Sequence, residues 1–281
     1  MQENKDVIQA WSESAPYWEK HRETIRAMFA PVTQALIEDA GITGGKAVLD
    51  VAMGPGEPAL TIADVVGPEG RVVGTDAVAE MVEASRREGA RRNLRNASFE
   101  TALAEQLPFA ANTFDAVVCR FGVMFFPSAL DGVREMLRVL NPGGKMALAV
   151  WHYAERNPFH SVVAQVVDRY VESPPLAPDG PDAFRFAKPG ELLRIVEGAG
   201  FAAASERLLR FPIRAPLALL DYWTLRSEMS EKLRSKLAGL SPARLVELKR
   251  EVIEALSAYA SEGGVSFPGE VLIVSAARAV A

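Results

Sequence analysis

Residues 47–60 read AVLDVAMGPGEPAL. Ala47–Val51 is a short apolar run that admits one carboxylate, Asp50, the pattern of a strand buried on both faces. It runs straight into Gly54-Pro55-Gly56, and a helix is expected from Pro58 onward. Strand, glycine turn and helix in that order form the first half of a βαβ unit.

The pattern repeats downstream. RVVGTD (71–76) is a second strand, with a helix expected over 80–93. A weaker strand follows at 97–101, and FDAVVCRF (114–121) is a fourth. A helix over 130–140 is stopped by Asn141-Pro142-Gly143-Gly144, and KMALAVW (145–151) is a fifth strand. Strands at 203–213 and 270–277 bring the count to seven. Alternating strands and helices joined by right-handed crossovers give a parallel sheet. The expected fold is therefore α/β, a doubly wound, mostly parallel seven-stranded sheet (Rossmann-like). N-terminal helices precede it, and a helical insertion precedes the last strand.

Outside the sheet, residues 2–40 carry helical apolar spacing, interrupted at Ser14-Ala15-Pro16. Residues 173–189 are rich in Pro and Gly and read as a loop. A helix is expected over 189–198, and residues 216–260 repeat leucines at helical spacing. The chain divides into an N-terminal helical segment, 1–45, and a main domain, 46–281. Within the latter, 151–190 and 214–264 are insertions suited to a lid or an acceptor site.

The composition narrows the class of protein. The 281 residues are 49% hydrophobic and 24% charged, as in globular chains that bury a core. Cys119 stands alone, so neither an internal disulfide nor a cysteine zinc cage can form. A net charge of −5 argues against a protein that wraps nucleic-acid phosphates. No cationic start with an apolar run opens the chain, and no stretch has the length of a membrane span. A cytoplasmic protein without nucleic-acid or membrane partners is expected, as a monomer or homodimer.

Ligands of open α/β sheets bind at the carboxyl ends of the strands, which makes the glycine loop the place to look. It could be a bare turn. As G-x-G-x-x-A (Gly54, Gly56, Ala59) it could hold a dinucleotide, with Asp76, 20 residues beyond Gly56, on a ribose. A pyrophosphate, however, needs free N–H groups and positive potential at the helix start. Pro55 and Pro58 each remove a donor, and Asp50 and Glu57 bring negative charge. That chemistry suits an adenosyl ligand carrying an ammonium and a sulfonium, S-adenosylmethionine.

VLDVAMGPGEPAL, VVGTDAVAEMVEASR, AEQLPFAANTFDAVVCRFGVMFF and REMLRVLNPGGKMALAVW, in that order, resemble the successive motifs of class I S-adenosylmethionine-dependent methyltransferases. They are most similar to the ubiquinone/menaquinone-biosynthesis-like small-molecule group. The resemblance spans 45–151, and it implies a methyltransferase that uses S-adenosyl-L-methionine and releases S-adenosyl-L-homocysteine. By the same resemblance Asp50 faces the methionine ammonium, directly or through water, with the backbone around Ala52 and Gly54 helping. Gly54 and Gly56 let the loop approach the cofactor. Asp76 takes the ribose hydroxyls, Ala77 and Met81 line the adenine, and Ala104 and Glu105 lie near its edge. Arg120 sits by the methionine part. Tyr17 closes over the cofactor or is an ordinary helix contact. Two positions depart from the family pattern: Leu103 replaces the acid that contacts the adenine amino group, and Met53 replaces a common cysteine.

Methyl transfer needs alignment more than it needs a base. Of three histidines, His152 directly follows the fifth strand at the ligand-bearing edge. It is the first candidate for a general base or acceptor-orienting group, against the alternative of a hydrogen-bonded loop residue. His160 is a weaker candidate, and His21 reads as a solvated helix position beside Lys20 and Arg22. No cluster shows metal-ligand spacing, so no metal is expected. Arg86, Arg87, Arg91, Arg92 and Arg95 read as a solvated face, with an anion or RNA contact as the alternative. The resulting function is methyl transfer to a small, partly apolar organic acceptor, at oxygen or nitrogen rather than carbon. An NAD(P)-dependent oxidoreductase and a non-catalytic S-adenosylmethionine-binding protein are the alternatives.

Overall fold

A computed structural model describes residues 2–172 and 180–280, with side chains from residue 7. Three helices, α1 (Gln2–Lys20), α2 (Arg22–Met28) and α3 (Ala30–Asp39), precede the sheet. The strand–helix alternation then unfolds as β1 (Ala47–Val51), α4 (Ala59–Val66), β2 (Arg71–Asp76), α5 (Ala79–Arg91), β3 (Ala97–Thr101), β4 (Phe114–Arg120), α6 (Ala129–Val139) and β5 (Leu140–Trp151). The second half holds α7 (Pro158–Val167), α8 (Glu191–Gly198), β6 (Ala202–Ala215), α9 (Leu219–Met229), α10 (Glu231–Ala238), α11 (Pro242–Leu256), β7 (Ala260–Ser261) and β8 (Gly264–Ala277).

The strands lie in the order β3-β2-β1-β4-β5-β8-β6, with the short β7 pairing with β8 beside that path. Neighbours among β1 to β5 are parallel, and β8 is antiparallel to both β5 and β6. The mostly parallel seven-strand path expected from the sequence is thus present. The central strands are apolar on both faces because helices cover both: Val48 and Leu49 of β1 and Val117 and Val118 of β4 are fully buried. The strand order reverses between β1 and β4, which places the crevice at their carboxyl ends.

Four boundaries differ from expectation. Helix α1 continues through Pro16, and the break falls at His21. Ala15 packs with Val78 and Met81 at the start of α5, and this burial outweighs the hydrogen bond that a proline removes. Residues 141–144 do not separate α6 from β5. They are absorbed as an irregularity in the β4/β5 register between Phe114 and Ala116. The leucine-rich stretch is three helices, because Ser230 and Ser241 each cap a new N-terminus through their hydroxyls. β8 begins six residues early, because β6 continues to Ala215 and pairs it with Val265.

That extended β6/β8 ladder supports the insertion. Tyr222 of α9 packs on Phe267 with ring centres 4.8 Å apart, and its hydroxyl donates to the Phe159 carbonyl at 2.7 Å. The insertion is therefore fixed to the sheet and to α7. The loop expected over 173–189 lies partly outside the described residues. Among the described residues, no helix is long and apolar enough to cross a membrane. The arginine-rich face of α5 is paired with acids: Arg86 with Glu83, Arg87 with Glu19, Arg91 with Glu88 and Arg92 with Asp64.

Candidate active site

Two tight turns form the floor of the crevice. Directly after β1, Ala52 has φ 58°, and directly after β4, Phe121 has φ 62°. Both are side-chain-bearing residues in the left-handed region, a strained state that the surrounding packing must hold in place. Gly122 lets the two turns meet. A Cβ there would lie 2.5 Å from the Ala52 Cβ and 2.8 Å from the Cys119 Sγ.

The glycine loop is stapled from below. Met53 N–H donates to the Thr75 carbonyl (3.0 Å), Gly54 N–H to Asp76 Oδ2 (2.9 Å) and Gly56 N–H to the Met53 carbonyl (3.3 Å). Ala59 N–H donates to Asp50 Oδ2 (2.8 Å), and Leu60 N–H to the Gly56 carbonyl (2.8 Å). Pro55 and Pro58 have no N–H to give. The N–H groups of Met53, Gly54, Gly56, Ala59 and Leu60 are thus spent on the protein itself and two prolines offer none, which makes a poor cradle for a pyrophosphate.

The two glycines have different tasks. Gly54 has φ +58° and open space where a Cβ would project, on the wall of the cavity. Gly56, expected to approach a ligand, does not line the cavity. A Cβ at Gly56 would lie 2.5 Å from Leu60 Cδ1, so its role is to let α4 pack closely.

The cavity encloses about 230 Å³ and runs from β2 across β1 and β4 to β5. At one end Asp76 closes β2. Its Oδ1 accepts from Val78 N–H (3.0 Å), and its carboxyl is pushed up to about 6 by burial against the pull of backbone N–H groups. Ala77, Met81, Ala104 and Glu105 line the same end, as expected from sequence, and Leu103 joins them.

In the middle, Asp50 departs from expectation. It is fully buried behind the wall and holds the start of α4, while its Oδ1 has no partner. Burial drives its pKa well above the usual carboxylate range. The acid on the wall itself is Glu57, whose Oε1 is also without a hydrogen bond and faces Arg92 Nη1 at 3.6 Å. Arg120 lines the cavity as expected; it donates to Thr33 Oγ1 (2.8 Å) and to the Glu57 carbonyl (3.2 Å). Two buried acid oxygens without hydrogen bonds, beside a loop poor in free donors, suit a cationic ligand segment better than an anionic one.

The N-terminal helices form the roof. Tyr17, a candidate for closing the site, does not line the cavity; its ring lies under the Arg234 guanidinium at 4.9 Å. One step along α1, Trp18 does line it, together with Trp11. Trp18 Nε1 donates to the Met229 carbonyl (3.2 Å), and Trp11 packs edge-on to Phe125 with centres 5.1 Å apart. Arg22 clamps the loop from α2. It donates to the Pro55 carbonyl (3.0 Å) and the Ala84 carbonyl (2.9 Å), and it pairs with Glu88 (3.2 Å). The sequence signal for these roles is the 3.6-residue spacing of Trp11, Trp18 and Arg22, which puts them on one face, whereas Tyr17 falls beside it.

The far end is aromatic. Phe121 stacks on Trp151 with ring centres 4.4 Å apart and planes 3° apart, and Phe29 and Phe159 adjoin them. His152 is not part of it. Its Nδ1 lies 2.8 Å from the Ala187 carbonyl and its Nε2 3.8 Å from Glu270, both outside the cavity wall. After β5 the chain turns away, and α7 brings back His160 instead, one ring-length from Trp151 (4.6 Å between centres). Burial and nearby Arg226 push the His160 pKa well below the usual histidine value, so the ring is neutral. His21 is likewise not a solvated position, since its Nε2 lies 2.7 Å from Glu228. Among the described residues, no group of three or more His, Cys, Asp or Glu is placed to hold a metal ion.

Comparison with known proteins agrees with this geometry. Residues 48–144 match the family model described as "Methyltransferase domain". The ubiquinone/menaquinone biosynthesis C-methyltransferase UbiE of Pseudomonas fluorescens is 37% identical over 135 residues, 48% of this chain and 51% of that protein. The demethylmenaquinone methyltransferase of Listeria monocytogenes is 38% identical over 103 residues, 37% of this chain and 44% of that protein. The chain spans about half the length of the curated relatives it matches. Among solved structures, the YcgJ protein of Bacillus subtilis superposes with a TM-score of 0.56 at 20% identity, covering 88% of this chain and 97% of that one, which shows the shared fold. The matched segment carries the glycine loop, Asp76, Glu105 and Arg120, so over residues 48–144 this chain is similar to a methyltransferase domain, and UbiE is among its relatives.

Proposed function

We propose that this protein binds S-adenosylmethionine in the crevice and transfers its methyl group to a small organic acceptor with an apolar body. The observation that carries this is the donor-depleted glycine loop. Five of its N–H groups are spent on the protein, while Asp50 and Glu57 keep buried oxygens without hydrogen bonds. Glu57, with Asp50 behind it, would hold the ammonium; Asp76 would hold the ribose; Met81 and the 102–105 segment would hold the adenine. Bound S-adenosylmethionine supplies a methyl carbon already activated by a sulfonium, and S-adenosylhomocysteine is the expected product.

The protein contributes alignment and exclusion of water. Trp11 and Trp18 roof the cavity, and Phe121, Trp151 and Phe159 wall its far end. An acceptor held there is presented to the middle of the crevice at short range, which is where most of the rate gain in displacement reactions arises. His160 is not placed as a general base. Its Nδ1 lies 3.2 Å from Arg226 Nη2, a group that can only donate, so Nδ1 is the acceptor and Nε2 carries the proton. With no base at this end, the acceptor must already be electron-rich. The UbiE relative is named a C-methyltransferase, and that favours a carbon nucleophile over the oxygen or nitrogen read from sequence. The aromatic residues of the far end, Trp151 and beyond, lie outside the matched segment 48–144, so the acceptor is this chain's own. Calorimetric titration with S-adenosylhomocysteine, then release of labelled methyl from S-adenosylmethionine across a panel of phenols, enols and aromatic acids, tests the assignment.

A further inference from the structure

Arg226 is an arginine of the cavity wall whose charge no acid among the described residues answers. It lies on α9 at the aromatic end of the cavity and is partly buried, with its Nε out of contact with solvent. Among the described residues no carboxylate pairs with it, and burial lowers its pKa. Its neighbours are the Phe159 ring, 4.7 Å below the guanidinium, and His160 Nδ1 at 3.2 Å. Its Nε has no hydrogen-bond partner. The arginine at the other end behaves differently: Arg120 sits between Thr33 and the Glu57 carbonyl, in the field of Asp50 and Glu57. A guanidinium without a counter-charge is costly to bury, and the face of a phenylalanine offsets only part of that.

His160 adds to the same deficit. Because Nδ1 accepts from Arg226, Nε2 carries the proton, and Nε2 is buried without a partner. Arg226 and His160 together thus offer one fixed positive charge and two N–H donors without acceptors, on a wall of aromatic rings. Among the described residues no acceptor completes the set, so a ligand that fills it brings one.

We infer that Arg226 and His160 form an oxyanion-binding subsite for the methyl acceptor, which is an aromatic or similarly flat molecule bearing a carboxylate or phenolate oxygen. This rests on the methyl-transfer reading and adds the charge of the acceptor to it. Arg226 binds the anionic oxygen through Nε–H, and His160 Nε2–H donates to the same oxygen or its neighbour. The flat body lies along Trp151 and Phe121. A phenolate held this way keeps its ring carbons electron-rich without a base, and a carboxylate held this way anchors a ring for attack elsewhere.

The test compares 2-naphthoate with its neutral isostere 2-naphthamide by tryptophan fluorescence and calorimetry, with and without S-adenosylhomocysteine. In the wild type, 2-naphthoate is expected to bind at least tenfold more tightly. The preference disappears in Arg226→Met, remains in part in Arg226→Lys, and falls several-fold in His160→Gln. 2-Naphthol separates the two sources of the oxygen. Binding with release of one proton assigns the phenolate form, and binding of the acid alone assigns the carboxylate. Equal affinity for naphthoate and naphthamide, binding of neither, or a preference unchanged in folded Arg226→Met overturns the subsite. Should an Arg226 variant not fold, the wild-type comparison still decides. Failure to bind S-adenosylhomocysteine contradicts the methyl-transfer assignment separately, because the naphthoate comparison is also read without it.

Discussion

Trp18 and Met229 are 211 positions apart in the chain, and the indole Nε1 of one donates to the carbonyl of the other at 3.2 Å. This bond joins α1 to α9 over the cavity, so the N-terminal helix and the late insertion form one roof. Roofs of this kind exclude water and control product release. Trp18→Phe keeps most of the ring and deletes the donor. A single hydrogen bond of this type is worth about 1 kcal/mol, so the melting temperature is expected to change little. The dissociation rate of S-adenosylhomocysteine, followed by stopped-flow fluorescence, is expected to rise several-fold. An unchanged rate would show that the roof is not held by this bond.

Gly122 and Gly54 separate two uses of glycine. Gly122 is needed because a Cβ would meet Ala52 and Cys119 at 2.5 and 2.8 Å, both in the strand-end turns. Gly122→Ala is expected to destabilise by about 2 kcal/mol, the typical cost of overpacking a dense site, and to weaken cofactor binding. Gly54→Ala has free space but must hold φ +58°, which costs about 1–2 kcal/mol for a side-chain-bearing residue. Its methyl projects at the cavity, so ligand affinity is expected to fall more than stability does. Denaturant melts paired with calorimetry distinguish the two patterns.

Asp76 gives a pH dependence with a defined sign. Burial raises its pKa from 3.8 in the unfolded chain to about 6 in the fold. The native state therefore keeps a proton that the unfolded state loses. The associated stability is fully present below 3.8 and is lost as pH rises through about 6. Asp50 is raised in the same direction and adds to the loss. Ribose hydroxyls donate to the ionised carboxylate, so S-adenosylhomocysteine affinity is expected to fall as pH drops below about 6. In Asp76→Asn the Asp76 part of both dependences disappears. Thermal melts and titrations between pH 4.5 and 8 check this.

His152 was the first catalytic candidate by position, yet it sits outside the cavity against Ala187 and Glu270. His152→Gln is expected to leave S-adenosylhomocysteine and 2-naphthoate affinities within twofold of wild type. A tenfold loss of either would return it to the site.

The sheet was legible because its signals are local. The apolar runs at 48–51 and 114–120, each ending in a turn, state a strand, its burial and its ligand-bearing end together. The cavity-lining residues Ala52, Gly54 and Arg120 lie at those strand ends and are legible for the same reason. The acceptor end is not local. His160 and Arg226 are 66 positions apart, and the β6/β8 ladder brings them together. Nothing in the spacing of leucines over 216–260 shows which face of α9 turns inward. The depth of Asp50 behind the cavity wall is not legible either, because residue type gives a charge but not its burial. Pro16 was read as a break because propensity is a local preference that the contacts of Ala15 override.

Calorimetric titration of the wild type and Asp76→Ala with S-adenosylhomocysteine, alongside NADH, tests the central claim most directly. The account predicts one site per chain for S-adenosylhomocysteine, at least tenfold weaker in Asp76→Ala, and no heat with NADH. Binding of NADH in place of S-adenosylhomocysteine, or an affinity for S-adenosylhomocysteine unchanged in Asp76→Ala, would contradict it.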